Sequence, residues 1–150
     1  ITFNATADAT TEGDEGFTIT LDNGESTYNV ALVDTSTTPG NSYTIITTSS
    51  GSSSYNLSGT DRLGSVSGSN QTVTINVGDT VTFDVNAGGH PFYIKTANST
   101  GTGNVVNTPT ATGQGATGGN VVWEPATAGT YHYNCQFHSS MHGLIVVQTP

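Results

Sequence analysis

Phe17, Ile19 and Leu21 alternate with polar residues, and past Asn23 and Gly24 the alternation resumes at Tyr28, Val30 and Leu32. Residues two apart share one face of a strand, and Asn-Gly supplies the positive-φ pair of a tight turn, so the pattern predicts a β-hairpin. Thr35 to Asn41, with Pro39 and Gly40, reads as a linker. Tyr43 to Thr47 is then a short strand, followed by a Ser/Gly loop from Ser49 to Ser54 and an irregular stretch to Asn70. Val73, Ile75 and Val77 alternate, Gly78 and Asp79 turn the chain, and Val81, Phe83 and Val85 alternate back, the cleanest hairpin signal in the sequence. Its apolar face requires a second sheet as cover.

After Asn86 to Gly89 the chain re-enters a strand in which His90, Phe92 and Ile94 share a face. Asn98 to Asn120 is dominated by Gly, Thr and Asn without helical periodicity and reads as a long loop or short irregular strands. Val121 to Glu124, Thr130 to Cys135 and Leu144 to Val147 are further strands. In the middle one Tyr131, Tyr133 and Cys135 share a face, leaving His132 and Asn134 on the other. Short strands with Gly/Pro turns and no helical pattern predict an all-β sandwich.

Composition agrees: the 150 residues are rich in Gly, Thr, Ser, Asn and Val. The formal charge of −9, with Arg62 and Lys95 the only Lys or Arg, excludes a phosphate-backbone binder, which needs a basic stripe. Asp8, Glu12, Asp14, Glu15, Asp22, Glu25 and Asp34 place −7 in residues 1–41, against −2 for the remainder. Two regions follow: an acidic β-hairpin extension with its linker (1–41) and a main domain (42–150). No apolar run approaches the roughly 20 residues of a membrane helix. The start at Ile1, without a leader, suggests a mature or excised product and an exported, extracellular or periplasmic location. Sequons at Asn4, Asn56, Asn70 and Asn98 are unremarkable in so Asn/Ser/Thr-rich a chain and carry no inference.

One cysteine, Cys135, excludes an internal disulfide and leaves a thiol or thiolate role. Alone it reads as an inert core residue. It stands, however, in C-x-x-H-x-x-M with His138 and Met141 immediately after a strand, and His90 lies 45 positions upstream at the start of another. A short loop can fold three ligands around one point while a distant strand presents the fourth. Two imidazoles and a thiolate with a weak axial thioether form the donor set of a type 1 copper site. His142 offers a competing zinc set with His90, Cys135 and His138. His132 reads as a surface residue of the outer sheet face, and Trp123, Tyr131 and Tyr133 as core aromatics before electron conduits.

Residues 42–148, about seven-tenths of the chain, resemble the cupredoxins. The ending Y-H-Y-N-C-Q-F-H-S-S-M-H-G-L-I-V-V is similar to the ligand loop and last strand of amicyanin and plastocyanin, with amicyanin-like spacing. V-G-D-T-V-T-F-D-V-N-A-G-G-H-P-F-Y-I resembles the hairpin leading to the family's first histidine ligand. The resemblance implies a Greek-key β-sandwich with His90, Cys135, His138 and Met141 as copper ligands. In many cupredoxins an Asn follows the first ligand and its N–H donates to the cysteine sulfur. Here Pro91 has no N–H to give, which implies one hydrogen bond fewer to the thiolate.

The stretch A-D-A-T-T-E-G-D-E-G-F-T-I-T-L-D-N-G is similar to the later part of a Calx-beta repeat. Some 35 residues match, so the full module is absent; Asp8, Glu12, Asp14 and Glu15 read first as a solvated acidic turn and second as calcium ligands. A truncated sandwich leaves an edge to pair with the main domain, a neighbouring chain or a second copy.

Three functional classes follow. The first is a one-electron carrier with a redox partner protein, not an enzyme. The second is a structural cupredoxin module of an extracellular, virion or filament assembly, in which copper is secondary and the N-terminal strands pair with neighbours. A copper enzyme ranks last, since no second metal cluster or acid/base pair accompanies the motif.

Overall fold

The computed structural model describes residues 40–150 in full and, of the first 39, the backbone of two strands. Two units divide the chain, Ile1–Pro39 and Gly40–Pro150. In the first, β1 (Glu15–Thr20) pairs antiparallel with β2 (Thr27–Leu32), aligning Phe17 with Val30 and Ile19 with Tyr28. That register is centred on Asn23–Gly24, although the turn lies outside the described residues. Asp8, Glu12 and Asp14 lie outside them too, and with them the calcium reading.

The second unit is a two-sheet sandwich with no helix among the described residues. Its strands are β3 (Ser42–Ser50), β4 (Ser54–Asp61), β5 (Gly64–Ser69), β6 (Val73–Asn76), β7 (Thr80–Asn86), β8 (Phe92–Lys95), β9 (Gly118–Trp123), β10 (Gly129–Cys135) and β11 (His142–Gln148). One sheet runs β6-β11-β10-β8 and the other β5-β4-β3-β7-β9. From β5 onward the chain passes from sheet to sheet at nearly every connection, as Greek-key sandwiches do.

Two sequence expectations change. The strands on either side of Gly78–Asp79 exist, but they do not form a hairpin: β6 pairs parallel with β11 and β7 parallel with β3, in opposite sheets. Alternation fixes which face of a strand is apolar, not which neighbour it hydrogen-bonds. The buried Asp79 carboxylate sets this crossover, accepting the N–H groups of Asn41 and Asn76 at 2.7 Å each and facing Arg62 at 3.4 Å. The stretch before Asn70, read as irregular, is the β4–β5 hairpin. Few side chains mark it: Tyr55, Leu57 and Val66 are buried between Ser, Thr and Gly.

Edge strand β8 is covered by the loop that follows it. The Gln114 side chain acts as a short strand, accepting from Ile94 N at 2.8 Å and donating to Ile94 O at 3.0 Å. Bridges from Val105 to Lys95 and from Ala116 to Phe92 extend this cover, which leaves no bare edge there for another chain.

Between the sheets lies an aromatic layer. Phe83 and Tyr55 from the five-stranded sheet meet Phe92 at centroid distances of 4.8 and 5.1 Å, and Phe92 stacks on Tyr133 at 5.5 Å. All four are fully buried, as expected of rings that each remove a large apolar area from water. Trp123 and Tyr133 are core aromatics whose polar ends are satisfied by Pro109 O at 3.0 Å and Gln71 O at 2.7 Å. Gly143 stands opposite Tyr133, where any Cβ would overlap the tyrosine ring and hydroxyl.

Candidate metal centre

Strand β10 ends at Cys135, whose side chain follows Tyr133 into the interior by the period of two and is fully buried. The chain then turns through 136–140 and returns as β11. Cys135 N donates to Met141 O at 2.9 Å and Met141 N to His138 O at 3.2 Å, closing the loop into a compact ring. His90 reaches the same point from the opposite neighbour of β10, because Cys135 is in register with Phe92 of β8.

The outcome is a triangle of donors. Cys135 Sγ lies 3.5 Å from His138 Nδ1 and 3.9 Å from His90 Nδ1, and the two Nδ1 atoms are 3.2 Å apart. A point equidistant from atoms so separated lies about 2.1 Å from each, within the ~2.0–2.3 Å of metal–imidazole and metal–thiolate bonds. His90, Cys135 and His138 are the group of His, Cys, Asp or Glu side chains among the described residues whose geometry suits one ion. Both histidines are half-buried and the cysteine wholly so.

Met141 is fully buried and directly follows the loop. His142 does not join the cluster. It lies on the other face of β11, with its Nε2 2.9 Å from His132 Nδ1, so the zinc set of three histidines and a cysteine does not assemble. His132 is likewise half-buried and paired, not a free surface residue. Burial holds both of these imidazoles below the ordinary histidine range, and for His142 the neighbouring His132 adds to the effect.

The donors rest on a rigid frame. Tyr55 OH donates to His90 O at 2.8 Å, and His90 N donates to Ala87 O at 2.9 Å. Gln136 N donates to Pro91 O at 3.0 Å, and Gly101 N to Gln136 O at 2.7 Å. On the far side of the loop, Asn70 Nδ2 donates to Ser140 O at 2.9 Å and Ser140 Oγ to Ser52 O at 2.9 Å. The sulfur accepts Phe137 N–H at 3.4 Å, and Pro91 serves this site through its carbonyl. Desolvation, with the neighbouring Cys135 second, pushes the Tyr55 phenol well above its usual range, so it stays a neutral donor.

Sequence reasoning missed Tyr55, Asn70, Ser52 and Gly101. Tyr55 had a signal, the Tyr55/Leu57 alternation, hidden among serines. Asn70 had a weaker one, since Asn tolerates the positive φ of 50° that it adopts. Lys95 was counted only as a charge. It is fully buried on β8, donating to Ser99 O at 2.8 Å and Gly101 O at 2.7 Å, and desolvation lowers its pKa.

A β-sandwich with a histidine–cysteine–histidine triangle at one end, inserted between a strand end and a short return loop, is the architecture of a cupredoxin. Solved structures of rusticyanin are similar to this chain. A methionine-to-leucine variant of rusticyanin is 26% identical with a TM-score of 0.50, over 73% of this chain and 78% of that one. A structure described as the copper protein rusticyanin is 26% identical, with a TM-score of 0.49 over 73% and 79%. Rusticyanin from Thiobacillus ferrooxidans is 25% identical, with a TM-score of 0.46 over the same shares. No family model matches the chain, and no curated protein does.

Proposed function

We propose that the main domain, residues 42–150, is a blue copper electron carrier that would hold one copper ion through His90 Nδ1, Cys135 Sγ and His138 Nδ1, with Met141 as a weaker fourth ligand. The observation that carries this reading is the donor triangle, whose size and softness suit copper. A bound copper ion would supply the one-electron chemistry. The chain's own contribution is to keep the donors still. Hydrogen bonds hold the loop 136–140 on both flanks and fix His90 from below, so the donor set need not rearrange when the charge at its centre changes.

His138 is the half-buried donor on the loop, and Phe137 beside it is 60% exposed. Together they supply the edge through which a redox partner exchanges electrons. No helix among the described residues is long and apolar enough to cross a membrane. We read the protein as exported, extracellular or periplasmic, working with a partner protein; an assembly role of the N-terminal strands is the competing reading.

Adding Cu(II) to purified apo-protein and recording its visible spectrum and voltammogram tests the proposal. An intense visible band that saturates at one copper per chain, with reversible cycling, is expected. A colourless complex, or a filament that forms equally well without copper, would sink it.

A further inference from the structure

Hairpin β10–β11 carries a second pair of imidazoles outside the donor triangle. His132 Nδ1 and His142 Nε2 face each other at 2.9 Å, with the rings nearly parallel at 28° and their centroids 5.1 Å apart. The register explains the meeting. His132 is opposite Leu144 and His142 opposite Asn134, so the two histidines are diagonal neighbours on the sheet face that points away from the aromatic core. Both are half-buried, and among the described residues each ring has a hydrogen bond only to the other.

We infer that this pair is a second binding site, for a divalent d-block cation such as Zn²⁺ or Cu²⁺. Such ions take imidazole nitrogen readily, and two preplaced rings with solvent in the remaining positions suffice for a weak site. The hydrogen bond between the rings places one proton where a metal would sit, so on binding that proton moves to the donor ring's other nitrogen, leaving both imidazoles neutral, and the facing nitrogens spread by a few tenths of an ångström. Asn134, on the same face and opposite His142, has a buried Oδ1 without a partner, while its Nδ2 donates to Asn98 Oδ1 at 2.7 Å. An ion-bound water is a donor suited to that orphan acceptor. Lys95 stands opposite His132 on β8, but its ammonium is held by the carbonyls of Ser99 and Gly101. The −2 charge of residues 42–150 favours a cation.

Zn²⁺ added to the Cu(I)-loaded protein, followed by calorimetry and by the ring resonances of all four histidines, tests this. One further equivalent should bind, moving the His132 and His142 rings and leaving His90 and His138 in place. His132→Gln should weaken that binding by at least about tenfold, the cost that even an outer partner's loss carries. His142→Gln should do the same, and neither should change the visible copper band, which reports the Cys135 site alone. Unmoved His132 and His142 rings in the wild type, or undiminished Zn²⁺ affinity in His132→Gln, overturns the inference. Because each ring is followed separately, the same titration on metal-free protein reads this site whether or not copper occupies the first.

Discussion

Two histidine pairs meet on or beside the hairpin of β10 and β11, alike in bringing ring nitrogens close together and different in their third neighbour. His90 and His138 bring nitrogens to within 3.2 Å; His132 and His142 bring theirs to within 2.9 Å. Both pairs are half-buried. The first, however, has a buried thiol within 3.9 Å of both rings and a loop tied to Pro91, Gly101, Asn70 and Ser52. The second has a hydrogen bond and the solvent. On the proposed reading, imidazole proximity alone makes only a weak cation site, and the soft, immobilised sulfur is what would make such a pair a centre for electron transfer.

The most severe way to break this contrast is Cys135→Ser, which makes the first pair chemically like the second. Its visible copper band should disappear, and its copper affinity should fall on the order of a hundredfold or more, beyond what loss of an outer partner costs. Titration with copper under absorbance and calorimetry checks both. Next is Gly143→Ala, at the strand position directly after His142 and two past Met141. Its Cβ has no room against the Tyr133 ring, and Tyr133 is packed on Phe92 and hydrogen-bonded to Gln71 O. Overpacking of this kind costs roughly 1–3 kcal/mol, so thermal unfolding of the apo-protein should shift down by several degrees. An unchanged Tm would mean that the tyrosine can swing aside and that the two pairs do not share a rigid support.

The same contrast explains what could be read from the sequence. The meeting of Cys135 with His138 was legible because C-x-x-H-x-x-M is local, and a loop this short keeps those two side chains at one end of the sandwich whatever the rest does. Strand faces were legible too: Phe92, Ile94, Tyr133 and Cys135 are inward and fully buried, as period two requires. Strand partners were not. The 73–85 pattern resembles a hairpin, yet Asp79 draws the N–H groups of Asn41 and Asn76 to itself and the two strands join different sheets. The β4–β5 hairpin was invisible because its serines and glycines gain their place from pairing, β5 on β4 and β4 on β3, not from propensity. The His132–His142 contact needed the register of β10 on β11, which the loop centred on His138 sets but which no single residue announces.

A finer test sharpens the first pair alone. Position 91 is a proline, so the sulfur has Phe137 N–H at 3.4 Å and no donor from the residue after His90. Pro91→Asn restores an N–H at that position. A hydrogen bond to the thiolate withdraws electron density that would stabilise Cu(II), so the reduction potential should rise. One bond of about 1 kcal/mol corresponds to roughly 40 mV for a one-electron couple. Voltammetry of the two copper-loaded proteins reads the change, and an unchanged or lower potential rules the account out.

The smallest effect belongs to the second pair and to protons. Burial lowers the His132 pKa in the folded protein, whereas in the unfolded chain it takes the ordinary value of about 6.5. Between those two values the unfolded state binds more protons, so the stability the pair contributes is fully present above about 6.5 and is lost as the pH falls through that value toward the folded pKa. Apo-protein should therefore lose thermal stability on going from pH 8 to pH 5, and His132→Gln should lose less over the same interval, by a margin of a few degrees at most. Paired melting curves at each pH measure it. Equal slopes in the two proteins would show that the 2.9 Å contact carries no proton linkage.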